Sequence, residues 1–184
     1  NVDTLTVIHD EVKRNEFLAD ILLRHGADYQ VIDYIARNTR DTFDVRKIKY
    51  GNNYCVICSN DSLANPLYFV YEITASSYVI YHLQDSVYAE LGKKEIKTVL
   101  TSTVGEIESS LWNSLVDANA DPNLANELSE IYAWTIDFFA LQRGDRFRVI
   151  YDERFVDSTS IGIGEIYAVQ FDHYGNEYYG VLFN

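Results

Sequence analysis

The sequence predicts an α+β fold, and three observations carry that expectation. Stretches near 16–25, 28–38 and 109–143 place apolar residues three to four positions apart, the spacing of a helix face. From about residue 67 the apolar period drops to two, in short runs rich in Tyr and Val bounded by turn residues. Helices and strands therefore come in blocks, the arrangement of the α+β class. With 184 residues and 47% apolar composition, the chain can bury a sizeable core, in one domain or two small ones.

Residues 5–12 read as a short strand. Asn15 fits the N-cap of a helix over 16–25, whose stripe is Phe17, Leu18, Ile21 and Leu22 and whose stop is Gly26. A second helix over 28–38 carries Tyr29, Ile32 and Ile35 on one face. Residues 43–48 then lead into a turn at Gly51-Asn52-Asn53 and a strand over 54–58, giving β-α-α-β. Strands follow at 68–72, 78–82 and 86–90, and Leu91-Gly92-Lys93-Lys94 reads as a hairpin turn feeding a strand over 95–103. Ser109 or Ser110 opens a helix through Leu111, Trp112, Leu115 and Val116. Asp121-Pro122 starts the longest helix, with a stripe of Leu124, Leu128, Ile131, Tyr132, Thr135, Phe138, Phe139 and Leu141 and a stop at Gly144. The tail is a three-stranded meander over 146–155, 161–171 and 177–183.

Charge removes several function classes. Acidic residues number 28 against 15 basic ones, a net charge of −13. No basic stripe could replace the counterions of a phosphate backbone, so nucleic acid is excluded as a partner. No apolar run reaches the length of a membrane span. Residues 1–103 hold 14 acids and 11 bases, residues 104–184 hold 14 and 4, an asymmetry that points to two modules. The start lacks a signal-peptide pattern, and with no Met at all the sequence reads as a trimmed piece of something longer.

Chemical motifs are sparse. Cys55 and Cys58 have Cys-x-x-Cys spacing, but on a strand positions three apart point to opposite faces, so both are expected to be ordinary thiols. His9, His25, His82 and His173 fall in separate elements without metal-site spacing. Glu127, Glu130 and Asp137 recur along the long helix, and a solvated acidic face explains them better than a hydrolytic carboxylate pair. Gly162-Ile163-Gly164 is a strand bend rather than a dinucleotide turn, and no Gly-x-Ser-x-Gly occurs. From the chemistry alone the chain reads as non-catalytic.

Two blocks carry a resemblance. The first comprises Val12-Lys13-Arg14-Asn15-Glu16-Phe17-Leu18-Ala19-Asp20-Ile21-Leu22, then His25-Gly26, Ile32, and Phe43-Asp44-Val45-Arg46-Lys47-Ile48-Lys49-Tyr50-Gly51. It resembles the divergent LysM-like domain near the front of bacterial cell-wall zinc endopeptidases of the lysostaphin (LytM) type. The second block is Gly105-Glu106-Ile107-Glu108-Ser109-Ser110-Leu111-Trp112, followed by Ile131-Tyr132-Ala133-Trp134-Thr135-Ile136-Asp137-Phe138-Phe139 and Leu141-Gln142-Arg143-Gly144-Asp145-Arg146-Phe147-Arg148-Val149-Ile150-Tyr151. It is similar to the second, non-catalytic domain of the same enzymes, in versions from Bacteroidetes-type bacteria. The resemblance implies a LysM-like domain over 1–57 and a second domain over 58–184, with a helical hairpin at 109–143 and the meander at 146–183.

The family binds zinc through His-x-x-x-Asp and His-x-His motifs, and neither occurs in this sequence. The resemblance therefore implies a regulatory and wall-targeting segment in the cell envelope, its zinc in a catalytic domain absent from this chain. Its implied partners are peptidoglycan glycan strands and that peptidase domain. By position, glycan binding would fall to Lys13, Arg14, Asn15, Glu16, Phe43 and Asp44. Trp112, Trp134, Asp137, Phe138, Gly144 and Asp145 are the signature of the second block and are expected to maintain its fold, with Trp134, Phe138 and Phe139 filling the core. The alternative is a free-standing envelope adaptor or glycan-binding protein that regulates other hydrolases.

Overall fold

The computed structural model describes residues 5–60 and 64–183. The chain divides into two compact units, 1–95 and 96–184, each with its own sheet and its own core.

The first unit runs β1 (Leu5–Glu11), α1 (Leu18–Arg24), α2 (Tyr29–Asn38), a 3-10 turn (Val45–Lys47), β2 (Asn53–Ser59), β3 (Pro66–Thr74), β4 (Ser77–His82) and β5 (Tyr88–Lys93). Its five strands form an antiparallel sheet in sequence order. Burial alternates along β2, with Tyr54, Val56 and Cys58 turned into the core and Cys55 and Ile57 turned away. The two free cysteines thus lie on opposite faces of one strand. Ile21, Leu22 and Ile35 from the helices complete the core against Phe69, Tyr71, Val79 and Tyr81.

Three expectations are corrected in this unit. Helix α1 begins at Leu18 because the Phe17 N–H is held by Asp20 (2.9 Å), while Asn15 stands outside the helix with φ 59°. Residues 91–93 belong to β5 rather than to a turn. Gly92 sits opposite Tyr78, and a Cβ there would meet the Tyr78 ring at 2.3 Å, so the glycine makes room for a cross-strand aromatic. The division falls at 95/96 and not at 57/58, since β2 pairs with β1 on one side and β3 on the other, and a cut at 57/58 would split it.

The second unit runs β6 (Ile96–Glu106), α3 (Leu111–Asp117), α4 (Leu124–Ile131), β7 (Arg146–Val156), β8 (Thr159–His173) and β9 (Asn176–Val181), its strands antiparallel in that order. Ser110 caps α3 by accepting the Asn113 N–H (3.1 Å). Leu111, Leu115, Leu124, Leu128 and Tyr132 pack on Phe147, Val149, Tyr151, Val169 and Phe171.

The expected long helix is overturned: α4 stops at Ile131, and turns carry the chain to β7. The Tyr132 hydroxyl donates to the carbonyls of Val169 (3.2 Å) and Tyr178 (3.0 Å), which fixes this residue to the sheet. Beyond it Asp137 Oδ1 accepts the Phe139 N–H (2.9 Å), a local turn that competes with helix.

Candidate functional site

In the first unit, the residues expected to hold a glycan fall on two turns. The 13–16 turn leaves β1 and is closed by Glu16, which accepts the Lys13 N–H (2.8 Å) and pairs with Arg24 of α1. Arg24 also donates to the Tyr54 hydroxyl (3.4 Å), which in turn donates to Asp10 (3.4 Å); Lys13 lies 3.4 Å from the same Asp10 carboxylate. The Glu11 backbone N–H, followed by Lys13 and Tyr54, holds the Asp10 carboxyl below its usual range. Burial, then the Asp10 charge, pushes the Tyr54 hydroxyl up. Arg14 and Asn15 are exposed and make no side-chain hydrogen bond or ion pair among the described residues. They are the free polar groups of this turn.

The second turn is occupied by structural tasks. Phe43 is buried against Tyr71, ring centroids 5.6 Å apart, and its carbonyl accepts from the Tyr81 hydroxyl (3.3 Å). Asp44 caps the 3-10 turn through the Arg46 N–H (3.0 Å) and takes the Arg46 guanidinium (Nε 2.9 Å). The guanidinium, then that N–H, holds the Asp44 carboxyl well below the usual carboxylate range. No hydrogen bond or ion pair joins the 13–16 turn to residues 43 and 44 among the described residues. Val12, just before the first turn, and Phe43, in the second, enter the same core.

In the second unit the signature residues separate into two groups. Gly144 takes φ 94°, a conformation that favours glycine, and its N–H donates to the Ile107 carbonyl (2.8 Å). Asp145 is buried; its Oδ2 accepts the Gln142 N–H (2.8 Å) and lies 2.7 Å from His173 Nδ1. His173, also buried, is a partner that the sequence did not reveal, since 28 residues separate it from Asp145. Phe138 packs partly on the core, near Tyr132 and Phe171.

Trp112 is exposed on α3, and Asp137 is exposed on the 132–145 segment. Trp134 and Phe139, expected in the core, are 99% and 103% exposed. The helix that would have turned them inward ends before them.

Among the described residues no three His, Cys, Asp or Glu side chains are grouped to hold a metal ion. No helix of the described residues is long and apolar enough to cross a membrane.

Comparison with known proteins gives this arrangement its context. No family model matches the sequence. The peptidoglycan DD-endopeptidase ShyC of Vibrio cholerae is 31% identical over 107 residues, 58% of this chain and 25% of that protein. The DD-carboxypeptidase/endopeptidase Mpg of Neisseria meningitidis is 23% identical over 171 residues, 92% of this chain and 40% of that protein. The chain's curated relatives are peptidoglycan peptidases. It matches only a quarter to two-fifths of their length.

Solved structures share the fold. Helicobacter pylori Csd3 superposes over 94% of this chain and 47% of its own, with a TM-score of 0.66 and 15% identity. A zinc-containing peptidase from Vibrio cholerae superposes over 95% of this chain and 54% of its own, with a TM-score of 0.62 and 21% identity. Zinc fits no donor set among the described residues of this chain.

Proposed function

We propose that this chain is a regulatory and peptidoglycan-targeting segment of a lysostaphin (LytM)-type zinc endopeptidase of the cell envelope. The observation that carries the reading is a mismatch of coverage. The two-unit fold matches a zinc peptidase across 95% of this chain but only 54% of that enzyme, and the zinc motifs of the family are absent from this sequence. Sequence kinship to peptidoglycan endopeptidases supports the same substrate context.

Within this reading β1-α1-α2-β2 is the LysM-like module. Arg14 and Asn15 offer free hydrogen-bonding groups to a glycan, and Glu16 and Lys13 fix the turn that presents them. Phe43 and Asp44 hold the second turn, Phe43 by its burial and Asp44 by capping the 3-10 turn. Because the surface is acidic, recognition of an anionic wall falls to shape and hydrogen bonds rather than to attraction between charges.

Two measurements test the proposal. The chain should sediment with purified insoluble peptidoglycan, and Arg14→Ala with Asn15→Ala should weaken retention several-fold. Added in trans to a LytM-type peptidase domain, it should slow that domain's turnover of peptidoglycan. No retention by the intact chain would sink the targeting half, and an unchanged rate would sink the regulatory half. An increased rate would favour an activating adaptor instead.

A further inference from the structure

Trp134 and Phe139 present the most exposed large side chains of the second unit's turn segment, and two such rings at full exposure oppose the ordinary economy of a folded surface. They are not scattered. Both line one hollow of about 440 Å³, together with Ser129, Thr135, Asp137 and Phe138. The backbone that holds them is fixed at three points. Tyr132 is tied to the sheet, the Thr135 hydroxyl donates to the Tyr132 carbonyl (3.2 Å), and Asp137 Oδ1 receives the Phe139 N–H. The backbone that carries the two rings is therefore an ordered turn.

The lining decides the chemistry of a ligand. Aromatic faces carry negative charge density and favour C–H groups laid flat against them. The polar groups are hydroxyls and a carboxylate: the Ser129 and Thr135 hydroxyls donate to backbone carbonyls, which leaves their oxygens free to accept. Asp137 Oδ2 has no hydrogen bond among the described residues. This is a set of acceptors around apolar faces, suited to a ligand with C–H faces and many O–H and N–H donors on its rim. The second unit carries 14 acidic against 5 basic residues, so an anionic ligand is repelled. The volume lies in the range of small-ligand pockets.

We infer that this hollow is a glycan subsite, in which Trp134 and Phe139 stack on an uncharged N-acetylhexosamine ring and Asp137 accepts from its hydroxyls. The inference rests on the proposed wall-targeting role but assigns binding to the second unit, away from the 13–16 turn.

Trp112→Phe leaves Trp134 as the sole tryptophan, and α3 keeps an aromatic at that exposed position. Titration of this variant with a tetramer of N-acetylglucosamine should shift Trp134 emission to shorter wavelength in a saturable manner; an Ala-Glu stem peptide should not. Trp134→Ala with Phe139→Ala should reduce retention on purified peptidoglycan about tenfold while circular dichroism stays unchanged, since neither side chain is packed. No emission change with the tetramer at millimolar concentration overturns the inference. So does an emission change produced by a LytM-type peptidase domain and not by the tetramer, which would make the aromatics a protein interface. Retention that is lost on changing Arg14 and Asn15 but kept in the Trp134/Phe139 variant leaves the wall-targeting role standing and overturns this subsite alone. No retention of the unmodified chain overturns both.

Discussion

Asp145 and His173 meet inside the second unit, 2.7 Å apart, each with under a tenth of its surface exposed. Asp145 Oδ2 serves two donors at once, the imidazole and the Gln142 N–H, so it ties the turn before β7 to the end of β8. Removing the carboxylate strands both groups in a buried place where water does not substitute. Asp145→Ala is expected to cost about 2–3 kcal/mol, and Asp145→Asn, which keeps one acceptor, should cost less. Urea denaturation of the 184-residue chain measures both, and equal midpoints for Asp145→Ala and the parent would refute the role. Gly144 and Asp145 were legible as a stop and a turn, because a glycine after an apolar stripe is a local signal. Their partner was not, since the pair forms only when β7 and β8 adjoin, and no spacing along the chain encodes that.

At the level of elements, local signals decided what could be read. The meander and the two front helices follow from a period of two or 3.6 over enough residues to be unambiguous. Asp28 caps α2 by accepting the Gln30 N–H at 2.7 Å, close to where the sequence starts that helix. Asp28→Ala should therefore lower stability by about 1 kcal/mol, visible as a lowered midpoint of thermal unfolding; Asp28→Ser should restore most of it. No loss in Asp28→Ala would mean that packing of Ile32 and Ile35 alone fixes the helix end. The α4 region misled for a physical reason. Its apolar residues keep helical spacing past Ile131, yet the Tyr132 hydroxyl reaches two strand carbonyls and Asp137 captures a nearby N–H. The two tertiary bonds of Tyr132 override propensity and leave no trace in periodicity, and the Asp137 turn adds a local competitor to the helix. The same override exposes Trp134 and Phe139, so the candidate subsite could not have been found from the sequence.

Over the whole molecule, two cores imply two folding units, and the boundary at 95/96 has an energetic meaning. Residues 1–57 contain β1, both front helices and most of β2, in β-α-α-β order. They lack Phe69, Tyr71, Val79 and Tyr81, all fully buried against those helices or beside them in the same core. Each such side chain contributes roughly 1.5–3 kcal/mol by burial, so their joint removal exceeds the few kcal/mol by which a small domain is stable. A fragment of residues 1–95 should accordingly unfold in one cooperative transition, as should a fragment of residues 96–184. A fragment of residues 1–57 should show no cooperative transition and should exchange its amide protons at unprotected rates. Circular dichroism melts and hydrogen exchange on the three fragments distinguish these outcomes. Cooperative unfolding of the 1–57 fragment would show that the β-α-α-β module is autonomous and that β3 to β5 merely extend it. Failure of the 1–95 fragment to fold would show that the first unit depends on the second.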